Sequence, residues 1–354
     1  MAFAFLFMHA FSPDYALRPR YRWALHRFAC FCAGAVLFLI CVGGLVTSHE
    51  AGMSVPDWPT TYGYNMFYFP LNDWVGGIFY EHSHRLDATG VGLLIIGLAI
   101  WLCFQERIWL RWMGAGAVVL VILQGVVGGL RVVWNLDWLG VPHALLAQSF
   151  FVYVTLIALF TSRWWIEAGP PATQLGTGVT PRRWTGRTLA ICALIFVQLT
   201  LGATMRHQHA GLSIHDFPLA YGQVWPNVDS DSVDRYNLAR LAHNEVPTTA
   251  LAINLQMAHR VGAVLITVAI FAATAAVWLT PGSAPILRRW SAGWVGLVLL
   301  QFALGAFTIW TNKAADVATT HVAVGALTLV LGALLAAISW RLPSSGEVAT
   351  KGVT

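Results

Sequence analysis

The chain carries twelve histidines, and an internal repeat singles out four of them. Residues 51–63 read AGMSVPDWPTTYG and residues 210–222 read AGLSIHDFPLAYG, identical at seven of thirteen positions. The correspondence then continues in order: His84-Arg85 with His259-Arg260, Leu123-Gln124 with Leu300-Gln301, Gly128 with Gly305, and His143 with His321. Neutral imidazole is a good iron ligand, and two imidazoles facing each other across a helical bundle suit one porphyrin iron. One pair per repeat, His84 with His143 and His259 with His321, therefore predicts two heme sites. A lone membrane histidine is more often a polar group bonded to the next helix. Four at repeat-equivalent positions are poorly explained that way. Zinc is the other metal to weigh, but no cysteine or tight HxxxH spacing accompanies these histidines.

Glu81 precedes His84 by three residues, so the two share a face if the helix has already begun there. A carboxylate so close to a membrane core is costly unless it pairs or works. Its repeat counterpart is Gln256, so the acidic half is the one expected to carry chemistry. The competing reading is a salt bridge to Arg85. Arg85 and Arg260 each follow a candidate ligand and are candidates for pairing with heme propionates, since Arg grips a carboxylate through two bonds. Snorkelling to headgroups is the alternative, and Arg131 and Arg206 are equally ambiguous. Gly90, Gly92, Gly128, Gly129, Gly262, Gly305 and Gly325 leave room for a flat macrocycle or serve close helix packing.

The elements that must position these groups are membrane helices. Of 354 residues, 57% are apolar and 10% charged, against about 25% charged in soluble domains. Eight apolar runs of spanning length fall near 24–47, 84–104, 112–131, 142–162, 188–206, 257–280, 291–310 and 318–340. The expected fold is an all-α polytopic membrane protein, with eight transmembrane helices arranged as two pseudo-twofold-related four-helix bundles. Each repeat holds four spans, an even number, so the repeat is parallel with its axis along the membrane normal.

The expected organisation is an N-terminal segment at 1–23, an N-terminal four-helix half at 24–162, a linker at 163–187, a C-terminal half at 188–340 and a tail at 341–354. With the N-terminus inside, 14 of the 21 Lys and Arg residues fall on the cytoplasmic side. Both termini are therefore expected in the cytoplasm, and all four histidines at one depth near the outer surface. The first residues lack the order of a cleavable signal and have no transit-like leader, which favours a bacterial cell membrane. The net charge of +5 reflects the inner basic girdle and calls for no nucleic acid. Cys30, Cys32, Cys41, Cys103 and Cys192 lie in or against spans and imply no disulfide.

Loops 48–80 and 207–255 are long for membrane connectors. They are expected to cap the two pockets, packed by Trp58, Tyr62, Phe217 and Tyr221. Asp229, Asp231 and Asp234 are expected to be solvated, as are most of His49, His82, His207, His209, His215 and His243. His82 competes with His84 as a ligand, but only His84 has a repeat partner.

Taken with the segments GGLVTSHEAGMSVPDWP, EHSHR, PHALLAQ, AGLSIHDFP, QMAHRVGA and THVAVGALTL, the chain resembles the heme A synthase family over about residues 24–340. The resemblance implies oxidation of the C8 methyl of heme O to a formyl group, giving heme A for terminal cytochrome oxidases. It implies a resident heme b on His259 and His321, substrate heme at His84 and His143, and an essential glutamate at Glu81. It leaves open which N-terminal histidine stays on the iron, because oxygen activation needs a free or labile position. The implied partners are heme O, membrane lipid, a heme O-producing enzyme and an electron donor; a homo-oligomer is compatible. Many bacterial members carry a cysteine pair in the first outer loop, where this chain has Val55 and Thr61.

Two other functions use the same residues differently. A di-heme electron carrier or quinol-linked reductase without oxygenase activity would need the histidines but not Glu81. A transporter would need broken helices at the midplane and no permanent heme.

Overall fold

The computed structural model describes residues 21–167 and 181–342. Among them are helices and short 3-10 turns, with no strand. The helices are α1 (Trp23–Ser48), α2 (Gly76–Cys103), α3 (Ile108–Val133), α4 (Gly140–Thr161), α5 (Arg163–Ile166), α6 (Pro181–His207), α7 (Ser230–Ala242), α8 (Ala250–Leu279), α9 (Pro285–Trp310) and α10 (Ala315–Arg341). All but α5 and α7 are long and apolar enough to cross a membrane, which gives the eight expected spans. Helix is the natural form for such runs, because hydrocarbon leaves each backbone N–H and C=O to find its partner within the segment. Starts are marked locally: Pro285 opens α9, and Thr249 caps α8 by accepting from the Ala252 N–H.

Several spans begin earlier than their hydropathy suggests, and in two of them the added turns carry polar groups of the candidate site. α2 starts at Gly76 and α8 at Ala250, about two turns before the expected 84 and 257. The added turns hold Glu81, His82 and Gln256, polar groups that lower local hydropathy but are buried and hydrogen-bonded. His84 and His259 therefore sit well inside their helices, whereas His143 and His321 lie near the starts of α4 and α10. Of the expected linker, residues 163–166 form α5 and residues from 181 onward belong to α6. Residues 168–180, like 1–20 and 343–354 of the terminal segments, lie outside the described residues.

Each half closes on itself. α1 and α3 both pack on α2 and α4; α6 and α9 both pack on α8 and α10. The halves meet where α10 lies against α1 and α4, and where α4 lies against α6. Exchanging repeat equivalents (α1 with α6, α2 with α8, α3 with α9, α4 with α10) maps this pattern of neighbours onto itself. The four connections 49–75, 134–139, 208–249 and 311–314 all fall at one end, here called the loop end.

Burial follows this plan. In its most apolar stretch α10 is 67% buried and α3 only 11%, so α10 is the central helix and α3 presents most of its surface outward. Ala326, Val330 and Ala337 of α10 join the core formed by Leu25, Ile95, Val154 and Ile157. Leu329, Leu335 and Ile338 of the same helix join Trp184, Ile270 and Trp294 in the other half. Trp294 is fully buried and donates its indole N–H to the Thr328 carbonyl at 2.8 Å, so this donor is satisfied inside the second core.

At the α1–α10 contact, Gly44 faces Thr319, and a Cβ on Gly44 would come within 2.9 Å of Thr319 Cγ2. We predict that Gly44→Leu destabilises the protein by about 1–3 kcal/mol, an overpacking cost. Thermal unfolding in detergent should show a lowered midpoint, with Gly34→Leu, where a Cβ meets nothing within 4 Å, as the neutral control.

Candidate functional site

Each of the four histidines lies with its imidazole edge on a glycine backbone of the neighbouring helix. A Cβ at Gly43 would stand 3.1 Å from His84 Cε1, one at Gly128 2.9 Å from His143 Cε1, one at Gly202 3.0 Å from His259 Cε1, and one at Gly305 3.2 Å from His321 Cε1. All four contacts are tighter than a side chain at the glycine would comfortably allow. Gly43 and Gly202 are equivalent in the repeat, as are Gly128 and Gly305. The sequence reading had marked Gly128 and Gly305 but not Gly43 and Gly202, although the 159-residue offset of the Ala51/Ala210 motif reaches both.

His259 and His321 face each other with ring centres 6.5 Å apart and planes at 65°. Two imidazole nitrogens each about 2 Å from one metal place their ring centres roughly 6–6.5 Å apart. The spacing fits an iron between the rings. Nδ1 of His84, of His143 and of His321 is buried without a hydrogen-bond partner, so these imidazoles keep a nitrogen that helix packing does not use. Gly90 and Gly92 have no heavy atom within 4 Å of a Cβ position, leaving open space beside α2. Among the described residues no three His, Cys, Asp or Glu side chains gather as a metal cluster. Pairs are what a porphyrin iron needs at its axial positions.

Glutamine side chains fix three of the rings. Gln124 Nε2 donates to the His143 carbonyl at 3.0 Å and lies 3.2 Å from its Nε2. Gln301 Nε2 lies 3.3 Å from His321 Nε2. Gln198 Nε2 donates to the His259 carbonyl at 2.8 Å and meets Nδ1 at 3.1 Å. The repeat counterpart of Gln198 is Leu39, so His84 lacks the brace that His259 has. No sequence motif pointed to Gln198.

Glu81 and His84 lie on one face of α2, since the helix has begun five residues before Glu81. The Glu81 carboxylate is buried, accepts the Val55 N–H at 2.9 Å, and pairs with Arg85 at 2.8 Å. Gln256 does the same task in the other half: it accepts the Ile214 N–H at 2.7 Å and donates back to the Ile214 carbonyl at 3.1 Å. A carboxylate cannot donate, and Arg85 Nη2 satisfies the Val55 carbonyl instead, at 3.0 Å. Arg85 also holds the carbonyls of Asp57 and Thr60 at 2.7 and 3.0 Å, and Arg260 holds those of Asp216 and Leu219 at 2.7 and 2.8 Å. The structure thus gives both arginines the same job, latching a loop to its helix.

The two latched loops fold alike. Asp57 accepts from the Tyr62 and Gly63 amides at 2.7 and 2.8 Å, and Asp216 from the Tyr221 and Gly222 amides at the same distances. Each Tyr-Gly pair has positive φ (Tyr62 49°, Gly63 79°; Tyr221 52°, Gly222 74°), which is why glycine recurs there. Tyr62 and Tyr221 donate their hydroxyls to the Ser54 and Ser213 carbonyls. The Trp58 ring covers the backbone of Gly129, next to the glycine that backs His143. Phe217 packs on Phe302 and Trp310.

Two expectations of solvated residues are corrected here. His82 is fully buried, lies 3.0 Å from Thr61 Oγ1, and packs against the rings of Phe69 and Trp74. Its repeat counterpart is Met257, and that of Thr61 is Ala220, so this polar contact belongs to the N-terminal half alone. His207 is 8% exposed and lies 3.7 Å from Asp137, which in turn meets Arg131 at 2.5 Å. Asp229 is exposed, as expected, and it also caps α7 by accepting the Ser232 N–H at 2.9 Å.

Fold and site together define an all-helical membrane protein of two joined four-helix halves, with a facing histidine pair in one half and, in the other, two repeat-equivalent histidines and a buried carboxylate. The chain belongs to the COX15-CtaA family, described as cytochrome oxidase assembly protein, whose model matches residues 26–333. It is 27% identical over 94% of its length to a heme A synthase of Sphingopyxis alaskensis, covering 96% of that protein. It is 26% identical over 84% of its length to a heme A synthase of Halalkalibacterium halodurans (91% of that protein), and 29% over 78% to one of Methylobacterium radiotolerans (79% of that protein).

Burial raises the pKa of Asp57, but hydrogen bonds from Thr60, Gly63 and Tyr62 outweigh it and hold the carboxyl below its ordinary 3.8. A carboxyl depressed by folding stabilises the loop fully above the unfolded value and loses that contribution as pH falls through the folded value. We predict that the Tyr62 and Gly63 amides exchange with solvent faster below about pH 4, and that Asp57→Asn removes this pH dependence. Hydrogen exchange across residues 51–63 would read both.

Proposed function

We propose that this protein is a heme A synthase, with heme O as substrate in the N-terminal half and heme b as resident cofactor in the C-terminal half. It is an oxidoreductase that converts the C8 methyl of heme O to the formyl group of heme A. The observation that carries the reading is a histidine pair in each half joined to a carboxylate in only one. His259 and His321 would hold heme b, which supplies one-electron chemistry when bound. His84 and His143 would bind the substrate, with the repeated loops closing over each pocket. We also place the loop end outside and both termini in the cytoplasm, because the basic residues concentrate at the opposite end. The two halves would be related by a pseudo-twofold axis along the membrane normal.

With dioxygen as the oxidant, a methyl becomes a formyl group with release of one water, so protons must move between carbon and oxygen inside a closed pocket. Glu81, one helical turn from His84, is the group we assign to that step. The argument rests on cost. Burying an ion pair seldom adds net stability, and a neutral replacement is often as good or better by about 1–4 kcal/mol. Gln256 performs the same loop clamp without charge. Clamping alone therefore gives no reason to keep a carboxylate at 81, whereas proton transfer does.

The comparison of halves supplies the test. Glu81→Gln should preserve the clamp, as Gln256 does, and leave folding and heme content near wild type while heme A formation falls by about 100-fold or more. Glu81→Ala should lose activity and also loosen residues 51–63. Pigment analysis of membranes that also make heme O measures the first effect and limited proteolysis the second; full activity in Glu81→Gln would refute the proton role. For the resident site, His259→Ala and His321→Ala should each abolish the low-spin b-type spectrum of the purified protein, whereas His84→Ala should leave it in place. A b-type signal that survives loss of His259 would place the resident heme elsewhere.

A further inference from the structure

Heme substrates carry propionates, and Arg85 and Arg260, the arginines nearest the candidate ligands in sequence, are committed to loop carbonyls. Another cation is needed for the N-terminal pocket. Arg131 lies three residues beyond Gly128 on α3, hence on the face that meets His143. Its side chain is 14% exposed, and its Nε is buried with no partner. Its guanidinium lies against Gly52 of the first loop, where a Cβ would come within 2.8 Å of Nη1. The one carboxylate it meets is Asp137, 2.5 Å from Nη2 and 48% exposed. His207 reaches the same carboxylate from α6, at 3.7 Å, and its ring lies on Gly140, three residues before His143 on α4. Arg131, Asp137 and His207 thus form a layer about one helical turn beyond His143 toward the loop end. At the equivalent positions the other half has Thr308, Ala315 and Ser48, so this Arg–Asp–His layer has no counterpart there.

We propose that Arg131, backed by His207, anchors a carboxylate of the tetrapyrrole substrate, and that Asp137 is a stand-in which the substrate's carboxylate displaces. This rests on the reading of the His84–His143 pocket as a porphyrin site. An ion pair with one half-exposed member gains little and is cheaply exchanged. Asp137 engages one edge of a guanidinium built for two parallel bonds, and Nε remains free for a carboxylate that approaches the fork squarely. Gly52 and Gly140 keep the walls of this layer small. Fixing a carboxylate edge at the loop end stops the macrocycle rotating about the axis through the paired imidazoles. That rotation decides which ring methyl meets Glu81, so Arg131 is a positioning residue for the reaction.

The test uses the full-length protein in nanodiscs, with its C-terminal site loaded, titrated with iron protoporphyrin IX and with its dimethyl ester and followed by the Soret band. Wild type should bind the diacid about tenfold or more tightly than the diester, the worth of one charge-assisted hydrogen-bond pair. Arg131→Gln should bring the diacid down to the diester's affinity and leave the diester unchanged; Arg131→Lys should recover part of the difference. Asp137→Asn should tighten diacid binding, because the competitor is gone, whereas a purely structural role for Asp137 would weaken it. Equal loss of both porphyrins in Arg131→Gln, or weaker diacid binding in Asp137→Asn, overturns the proposal. So does a diacid preference that disappears only when anionic lipid is added, since Arg131 would then serve headgroups. Binding that is indifferent to His84→Ala and His143→Ala would instead overturn the porphyrin-site reading beneath it.

Discussion

An imidazole can press its edge against a helix only where that helix has no side chain, and this contact occurs four times at the loop end. Gly43, Gly128, Gly202 and Gly305 each give up a Cβ so that His84, His143, His259 and His321 can settle against backbone. A methyl at any of them would push its imidazole by tenths of an ångström to more. In a close-packed interior such a push is transmitted rather than absorbed. Ring position matters here because a metal between two imidazoles tolerates little change in their separation. The glycines are therefore as much a part of the site as the histidines, and they set which helices must be neighbours: α1 beside α2, α3 beside α4, α6 beside α8, α9 beside α10.

Given that frame, the differences between the halves are informative because the common parts are so alike. Both loops are latched by an arginine at equivalent carbonyls, both are pinned by an aspartate to a Tyr-Gly turn, and both have their central amide held from the helix below. What differs is polar and concentrated in the N-terminal half: Glu81 for Gln256, His82 for Met257, Thr61 for Ala220, Arg131 for Thr308. Burying each of these groups costs free energy that the apolar or neutral equivalent avoids. A half built only to hold a cofactor has no use for them. A half that admits a charged substrate and moves protons does, and the residues fall on the side that this division of labour requires.

Much of this was legible in the sequence, for reasons that the structure makes plain. The spans could be read because hydrocarbon demands long apolar helices, and the histidines because a repeat marks positions under the same constraint twice. Helix starts were harder. Glu81, His82 and Gln256 look like loop residues by hydropathy, yet loop backbone meets Glu81 and Gln256 and the Thr61 hydroxyl meets His82, and α2 and α8 continue through. The second role of the arginines was hidden for a similar reason: a cation beside a ligand suggests propionates, and nothing local reveals that carbonyls of the preceding loop will also bind it. The buried state of His82 and His207 depends on partners 21 and 70 residues away, Thr61 and Asp137. Such pairs come from tertiary packing, which no window of sequence contains. Gly43 and Gly202 were within reach, since the repeat extends upstream to them.

The two halves also cannot be understood as two independent heme proteins placed side by side. α10 contributes to both cores and is the most buried of the eight spans, so neither half has a complete interior without it. At the loop end the dependence runs the other way. The final turn of α6 sends Arg206 to the Gly44 carbonyl and to Ser48, both at 2.6 Å, and His207 to Asp137. The C-terminal half thus braces α1 beside the glycine that backs His84, and completes the charged layer beyond His143. In the proposed reaction that arrangement places the resident cofactor's half in mechanical contact with both ligands of the substrate pocket. The two bundles therefore form one unit, in which, on the proposed reading, one half holds and the other half reacts.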